Sequence, residues 1–182
     1  MINAPPGTVA PVTRADFGRM HCTVARSLDV IGDPWTPLVL RDLFSGLSRF
    51  DEIAADLGIS RNLLAQRLEH LVTAGVVERV AYQESPRRYD YALTAAGRDL
   101  APVIMALVAW GDRWVRPEEG SPILFRHDCG EVVTPVPRCP ACGGVADADT
   151  ITALPGPGAR VAPGTRVIAA RAGAPPAQDE AG

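Results

Sequence analysis

Residues 58–75 read GISRNLLAQRLEHLVTAG, and the fold turns on how they are folded. Leu64, Leu68, Leu71 and Val72 recur at i, i+4, i+7 and i+8, so a helix would bring them onto one face that has to meet a core. At about 100° per residue the far side collects Asn62, Ala65, Gln66 and Glu69, with Arg61 and Arg67 on the flanks. Small and hydrogen-bonding side chains therefore face outward. Ser60 is the predicted N-cap, and Gly58 and Gly75 close the segment at its two ends.

Upstream, SRFDEIAADLG (48–58) places Phe50, Ile53, Ala54 and Leu57 on one stripe, with Ser48 as the expected cap. Two helices joined through Leu57-Gly58-Ile59-Ser60 match a helix-turn-helix, whose second helix enters a DNA major groove. The same pattern also fits a helical hairpin in a bundle. Downstream, VVERVAYQESPRRYDYAL (76–93) is rich in Val and Tyr and turns at Glu84-Ser85-Pro86, which predicts a two-stranded hairpin with Arg87 and Arg88 at its tip. A hairpin after a recognition helix is a wing, and its arginines suit backbone phosphates or a minor groove. A merely solvated turn is the plainer alternative.

Two further helices are predicted ahead of this unit. CTVARSLDVIG (22–32) sets Val24, Leu28 and Ile31 at helical spacing and stops at Gly32; WTPLVLRDLFSG (35–46) carries Trp35, Leu38, Val39, Leu43 and Phe44 after an Asp33-Pro34 cap. After the wing, Thr94 caps TAAGRDLAPVIMALVAWGDRW (94–114), whose Leu100, Val103, Ile104, Leu107, Trp110, Gly111 and Trp114 fall on one seam. That seam is apolar enough to predict burial against a second copy of the chain, in a symmetric dimer that would set two recognition helices about one DNA turn apart. Packing within the monomer would bury the same residues.

Composition sets the bounds. The chain has 182 residues and a net charge of −3, and all 18 basic residues are arginine. Attraction to a polyanion must then be local, and charge is uneven: residues 58–98 hold six arginines against four acids, whereas 117–182 hold five against eight. The length allows one core plus a small appendage. No apolar run approaches the roughly 18 residues of a membrane span, and MINAPPGTVAPVTRADFGRM lacks a basic start followed by an apolar stretch, so a cytoplasmic protein is expected. No Ser/His/Asp set, paired carboxylates or phosphate loop argues for an enzyme.

The blocks LDVIGDPWTPLVLRDL behind Cys22, RFDEIAADLGISRNLLAQRLEHLVTAGVVERVAY, and SPRRYDYALTAAGRDL together resemble the HxlR family of winged helix-turn-helix transcription regulators, over about residues 20–116. The resemblance implies a DNA-binding homodimer, a repressor on operator or promoter DNA, that answers to a small molecule or to oxidative stress. It places recognition contacts at Ser60, Asn62, Gln66 and Arg67 and a wing contact at Arg88; with Arg49, Arg61 and Arg87 these are the candidate DNA contacts, the helix being about 60–74 and the wing about 82–89. The chain has Asp33-Pro34 where relatives commonly carry a basic pair, and Arg61 where a proline often follows the helix-capping serine. Cys22 matches a position that some relatives use as a redox switch, and Arg19, His21 and Arg26 near a helix N-terminus are surroundings that favour a thiolate; a buried, inert cysteine is the alternative.

Beyond Gly120, FRHDCGEVVTPVPRCPACGG (125–144) gathers His127, Cys129, Cys139 and Cys142, and the Cys139-Pro-Ala-Cys142-Gly-Gly run has the form of a zinc knuckle. Structural Zn²⁺ on these four residues is the expected cofactor, since so small a segment scarcely folds without a metal. Asp128 competes with His127, and a Cys139/Cys142 redox dithiol or a disulfide are the other readings. The expected fold is thus mainly α with a small β-hairpin wing (α+β), a winged helix-turn-helix over 15–117, with a β-rich zinc-ribbon-like appendage over 120–152. Residues 1–14 are read as a flexible start. The Pro/Gly/Ala-rich tail, 153–182, is read as largely disordered apart from a short strand around 165–169. Two functions of other classes stay open: a thiol redox protein using Cys139/Cys142, and a protein-interaction adaptor that uses a winged helix without DNA.

Overall fold

The computed structural model describes Phe17 and residues 20–85, 87–115, 118 and 120–175. The expectations for residues 1–14, Arg19, Pro86 and 176–182 lie outside these. Two compact units emerge, one of residues 34–145 and one that joins residues 20–33 to 146–175.

In the first unit the helices are α2 (Thr36–Phe44), α3 (Phe50–Leu57), α4 (Arg61–Thr73), α5 (Ala95–Arg98) and α6 (Ala101–Trp114), counted after α1 of the other unit (Thr23–Ile31). The strands β1 (Val77–Glu84) and β2 (Arg87–Leu93) pair antiparallel from Val77 opposite Leu93 to Glu84 opposite Arg87, with a shift in register between Ala81 and Gln83. The hairpin is the expected one. α2 lies at the centre, against α3, α4, α6 and β2. Its Val39 and Leu40 are sealed from solvent together with Ile53 of α3 and Leu64, Leu68 and Leu71 of α4, so the leucine stripe of α4 does meet a core. Each such leucine contributes about 1.5–3 kcal/mol by leaving water.

Local chemistry moves several boundaries. α2 starts after Trp35 with Pro37 in its first turn, not at Asp33-Pro34. α3 is capped at Arg49, whose N–H donates to the Glu52 carboxylate (3.4 Å), while the expected cap Ser48 gives its carbonyl to the Tyr91 N–H at 2.8 Å and so joins the wing. The helix predicted from Thr94 to Trp114 is broken at Asp99–Leu100 into α5 and α6, because Pro102 has no N–H to donate and fits only a first turn. On α2, Leu38 is exposed although Val39 and Leu40 after it are buried.

On α2, Arg41 donates to Asp42 Oδ1 (2.6 and 3.0 Å) and to Asp56 of α3 (2.8 Å). Asp42 is only 2% exposed, and its Oδ2 has no hydrogen-bond partner among the described residues. Burial pushes its carboxyl above the ordinary carboxylate range despite the opposing pull of Arg41.

The same unit ends in the extension. β3 (Phe125–Arg126) pairs antiparallel with β4 (Val132–Val133), and a bridge between Arg138 and Val145 closes the loop 139–144. Among the described residues, no helix is long and apolar enough to cross a membrane.

In the second unit, α1 runs from an N-cap at Cys22 to a C-cap at Gly32, whose N–H reaches the Leu28 carbonyl. Only Ala25 is buried, while Val24 and Leu28, expected on a core-facing stripe, stand exposed. The tail differs most from expectation over 153–175: residues Arg166–Arg171 form a short helix, α7, where a strand was predicted, with Ala162 and Ala169 buried. The His21 N–H donates to the Pro163 carbonyl at 2.8 Å. Gly164, at φ +91°, comes so close to the start of α1 that a Cβ there would lie 3.1 Å from the Cβ atoms of Cys22 and Met20. Alanines and glycines without periodicity read as patternless, but they let backbone approach backbone.

Candidate nucleic-acid interface

α3, the turn 58–60, α4 and the hairpin form the candidate interface, and short-range rules set up its parts. Gly58 ends α3 in the left-handed region (φ +60°), which glycine adopts without strain, and Ile59 then drops into the core. Ser60 caps α4, its hydroxyl accepting the Leu63 N–H at 3.4 Å. With Leu64, Leu68 and Leu71 held below, Asn62 and Gln66 are exposed and Arg67 is half-buried. The outward row of amide-bearing side chains stands as predicted.

The arginines are less free than their exposure suggests. Arg61 pairs with Asp51 of α3 and stacks over Phe50, its guanidinium carbon 4.9 Å from the ring centroid. Arg49 lies 5.3 Å over Tyr82 of β1 and 3.9 Å from Asp90 of β2, so it ties the start of α3 to the wing. At the wing tip Arg87 sits 3.7 Å from Glu84 and 5.7 Å from the Tyr89 ring centroid, and beside it Arg88 is exposed. The Arg61–Asp51 and Arg87–Glu84 pairs are solvent-exposed and worth about 0–1 kcal/mol, so phosphate oxygens can displace those carboxylates at little cost, whereas Asp90 is half-buried and keeps Arg49 more firmly.

Three residues escaped the sequence reading. Asp51 holds Arg61, Tyr82 carries Arg49, and Arg79 of β1 pairs with Glu69, the one acid on the outward side of α4. That last pair neutralises a charge that would repel a phosphate. Glu69 and Arg79 are ten positions apart on different elements, so helical spacing could not reveal them.

The extension presents different chemistry. Its hairpin turn holds His127, whose Nδ1 accepts the Cys129 N–H at 3.2 Å, and whose N–H donates to the Glu131 carbonyl. In the second loop the Cys139 N–H donates to Gly144 and the Cys139 carbonyl accepts from Gly143, both at 2.8 Å. The Cys139 thiol is held below its ordinary range by N–H groups of Cys142 and Ala141 and by the Cys142 thiol. This arrangement resembles half of a tetrahedral thiolate site. The other half is not assembled, since among the described residues no three His, Cys, Asp or Glu side chains gather closely enough to hold a metal ion. All four cysteines are free thiols; Cys22, half-buried, is the cap of α1 in the other unit.

Comparison with known proteins agrees with the interface. Residues 30–119 match the model of the HxlR-like helix-turn-helix family. Rv3095 of Mycobacterium tuberculosis, an uncharacterized HTH-type transcriptional regulator, is 44% identical over 137 residues, which is 75% of this chain and 87% of that protein. The crystal structure of PA1607, a candidate transcription factor, superposes with a TM-score of 0.66 at 37% identity, over 74% of this chain and 95% of that one. PA1374 of Pseudomonas aeruginosa, also described as a candidate transcription factor, gives 0.54 at 38% identity over 75% and 93%. A match of 137 residues cannot fit ahead of residue 120, so the likeness to Rv3095 runs on into the extension that holds Cys129. The winged arrangement of helices and antiparallel hairpin, the matching residues and these relatives lead to one conclusion: the chain belongs to the HxlR-like helix-turn-helix family of transcription regulators.

Proposed function

We propose that the chain is a repressor that binds operator DNA as a homodimer, with α4 in the major groove and the wing on the backbone or minor groove. One observation carries the reading. Asn62 and Gln66 stand on the exposed side of a helix whose opposite side, Leu64, Leu68 and Leu71, is sealed in the core. Asn and Gln amides suit adenine edges, and an arginine fork suits guanine. Ser60, Arg61, Arg67, Arg49, Arg87 and Arg88 supply the remaining contacts, the arginines chiefly to phosphates.

The second copy of the chain is proposed to sit on α6. Its Val103, Leu107, Trp110 and Trp114 remain exposed, Leu107 and Trp110 by 52% each, although they share the helix with the buried Ile104. Contiguous apolar surface of this kind is ordinarily covered. Release of the DNA would follow binding of a small molecule or oxidation of the Cys22 thiol, either of which changes the population of the DNA-binding arrangement.

Fluorescence anisotropy with the DNA upstream of the coding sequence tests the reading. Binding is expected to weaken steeply with salt, and Arg67→Ala and Arg88→Ala each to lower both affinity and the salt slope. Binding that ignores salt, or that survives both substitutions unchanged, refutes it.

A further inference from the structure

The unit that joins residues 20–33 to 146–175 carries an open, solvent-accessible cleft of about 530 Å³ between the start of α1 and residues 153–172. That is the size of pocket that small-molecule sites ordinarily use, roughly 300–1,000 Å³. Its wall is built by bonds that cross the sequence: His21 Nε2–H donates to the Gly158 carbonyl at 2.6 Å, and Arg160 Nε–H donates to His21 Nδ1 at 3.2 Å. Those two bonds require the tautomer with the proton on Nε2 and hold Arg160 at the cavity.

The lining has a distinct chemical character. Arg26 and Arg160 belong to it and no aspartate or glutamate does, in a chain whose net charge is −3. Neither arginine is ion-paired with a carboxylate among the described residues. The rest is largely apolar, and Leu154 and Ile168 stay 82% and 64% exposed beside it. Two guanidinium groups without a carboxylate partner, Arg160 bonded only through Nε to His21, next to wet apolar side chains are complementary to a molecule with one compact negative end and a hydrocarbon body. A guanidinium grips a carboxylate in two parallel hydrogen bonds, and burying the body removes the apolar wall from water. A cationic ligand would leave both arginines unmatched, and a ligand without a hydrocarbon body would leave the apolar wall wet.

We propose that this cavity binds a small apolar carboxylic acid, its carboxylate held between Arg26 and Arg160 and its body against Leu154, Ile168 and Ala172. The site deepens the effector reading above and rests on it only for the consequence at DNA; the binding itself is a property of the chain alone. Calorimetric titration of the full chain with octanoate, and with 1-octanol as the uncharged analogue, tests it without DNA. Octanoate is expected to bind at least about tenfold tighter than octanol, the factor that one charge-assisted contact supplies. Arg26→Gln and Arg160→Gln are each expected to remove about that factor for octanoate and to leave octanol unchanged. Arg160→Gln also loses the bond to His21, whereas the Arg26 side chain makes no hydrogen bond or ion pair among the described residues, so Arg26→Gln tests the charge with the wall intact. Ala172→Phe, which puts a ring into the cleft where the ligand body would lie, is expected to weaken binding of both.

Equal affinity for acid and alcohol overturns the proposal, as does an undiminished octanoate affinity in Arg26→Gln or no binding of either compound. A chain that binds octanoate yet fails on its upstream DNA loses the regulator reading and keeps this one. A chain that binds DNA with salt dependence and ignores octanoate does the reverse.

Discussion

Asp51→Asn is expected to strengthen DNA binding, although it adds no contact to DNA. In the free protein the Arg61 guanidinium is shared between the Asp51 carboxylate and the Phe50 ring. To reach a phosphate it has to leave the carboxylate, and once it has left, an uncompensated negative charge remains on α3 close to the DNA. The two side chains are 71% and 76% exposed, so the pair is worth at most about 1 kcal/mol. Removing the carboxylate therefore returns up to about 1 kcal/mol per recognition helix, roughly a fivefold gain in affinity for each helix engaged and about twenty-five-fold for a symmetric dimer. A smaller loss opposes it, because Asp51 lies in the first turn of α3 and favours that helix by about 0.3–1 kcal/mol through the macrodipole; that loss falls on folding stability and not on affinity. Anisotropy titrations at several salt concentrations measure the gain, with urea unfolding alongside. Arg61→Ala and the double variant complete a cycle: Arg61→Ala is expected to weaken binding and reduce the salt slope by about one per helix, and in its presence Asp51→Asn should help less. Unchanged or weaker binding in Asp51→Asn, with the fold intact, refutes the claim that Arg61 faces the DNA.

Burial raises the Asp42 carboxyl in the folded state above its unfolded value. The folded protein then holds that proton more firmly, so the stability this group contributes is present below the unfolded pKa and is lost as pH rises through the folded one. The urea stability of wild type relative to Asp42→Asn is expected to fall as pH is raised from the ordinary carboxylate range, and a difference that does not change with pH rules this out. Leu107→Glu with Trp110→Glu, both on the exposed side of α6, is expected to halve the mass seen by light scattering while leaving the monomer folded; an unchanged mass removes α6 from the dimer. For the extension, zinc on His127, Cys129, Cys139 and Cys142 requires the hairpin turn to close on the Cys139–Cys142 loop. One zinc per chain in protein purified without chelator, falling at least about tenfold in Cys139→Ser, upholds that proposal, and zinc-free wild-type protein sinks it.

What could be read in advance follows the range of the interactions involved. The leucines of α4, the glycine turn before it and the Val- and Tyr-rich hairpin are set by neighbours within a few positions, and all stand as expected. The break at Asp99–Leu100 is also local, since Pro102 carries its own signal, but an apolar seam runs across the proline and by itself points to one continuous helix. The apolar face of α1 misled for another reason: periodicity says that Val24 and Leu28 share a side, not that this chain supplies what covers them.

Interactions that span the chain left no local trace. Gly158 lies 137 positions from His21 and Arg160 lies 139 from it, so the cavity wall was invisible in a segment that reads as Gly, Pro and Ala without pattern. The same limit applies at the DNA-facing surface, where exposure was predictable and availability was not. Arg61, Arg87 and Arg49 all belong to the expected set and are all exposed, yet each is engaged by a carboxylate or a ring from another turn or strand. A surface prepared this way carries its counter-charges with it, so binding DNA exchanges weak internal partners for phosphates. The affinity then depends on how weak those internal pairs are, and a change in an acidic residue such as Asp51 acts on DNA as directly as a change in an arginine.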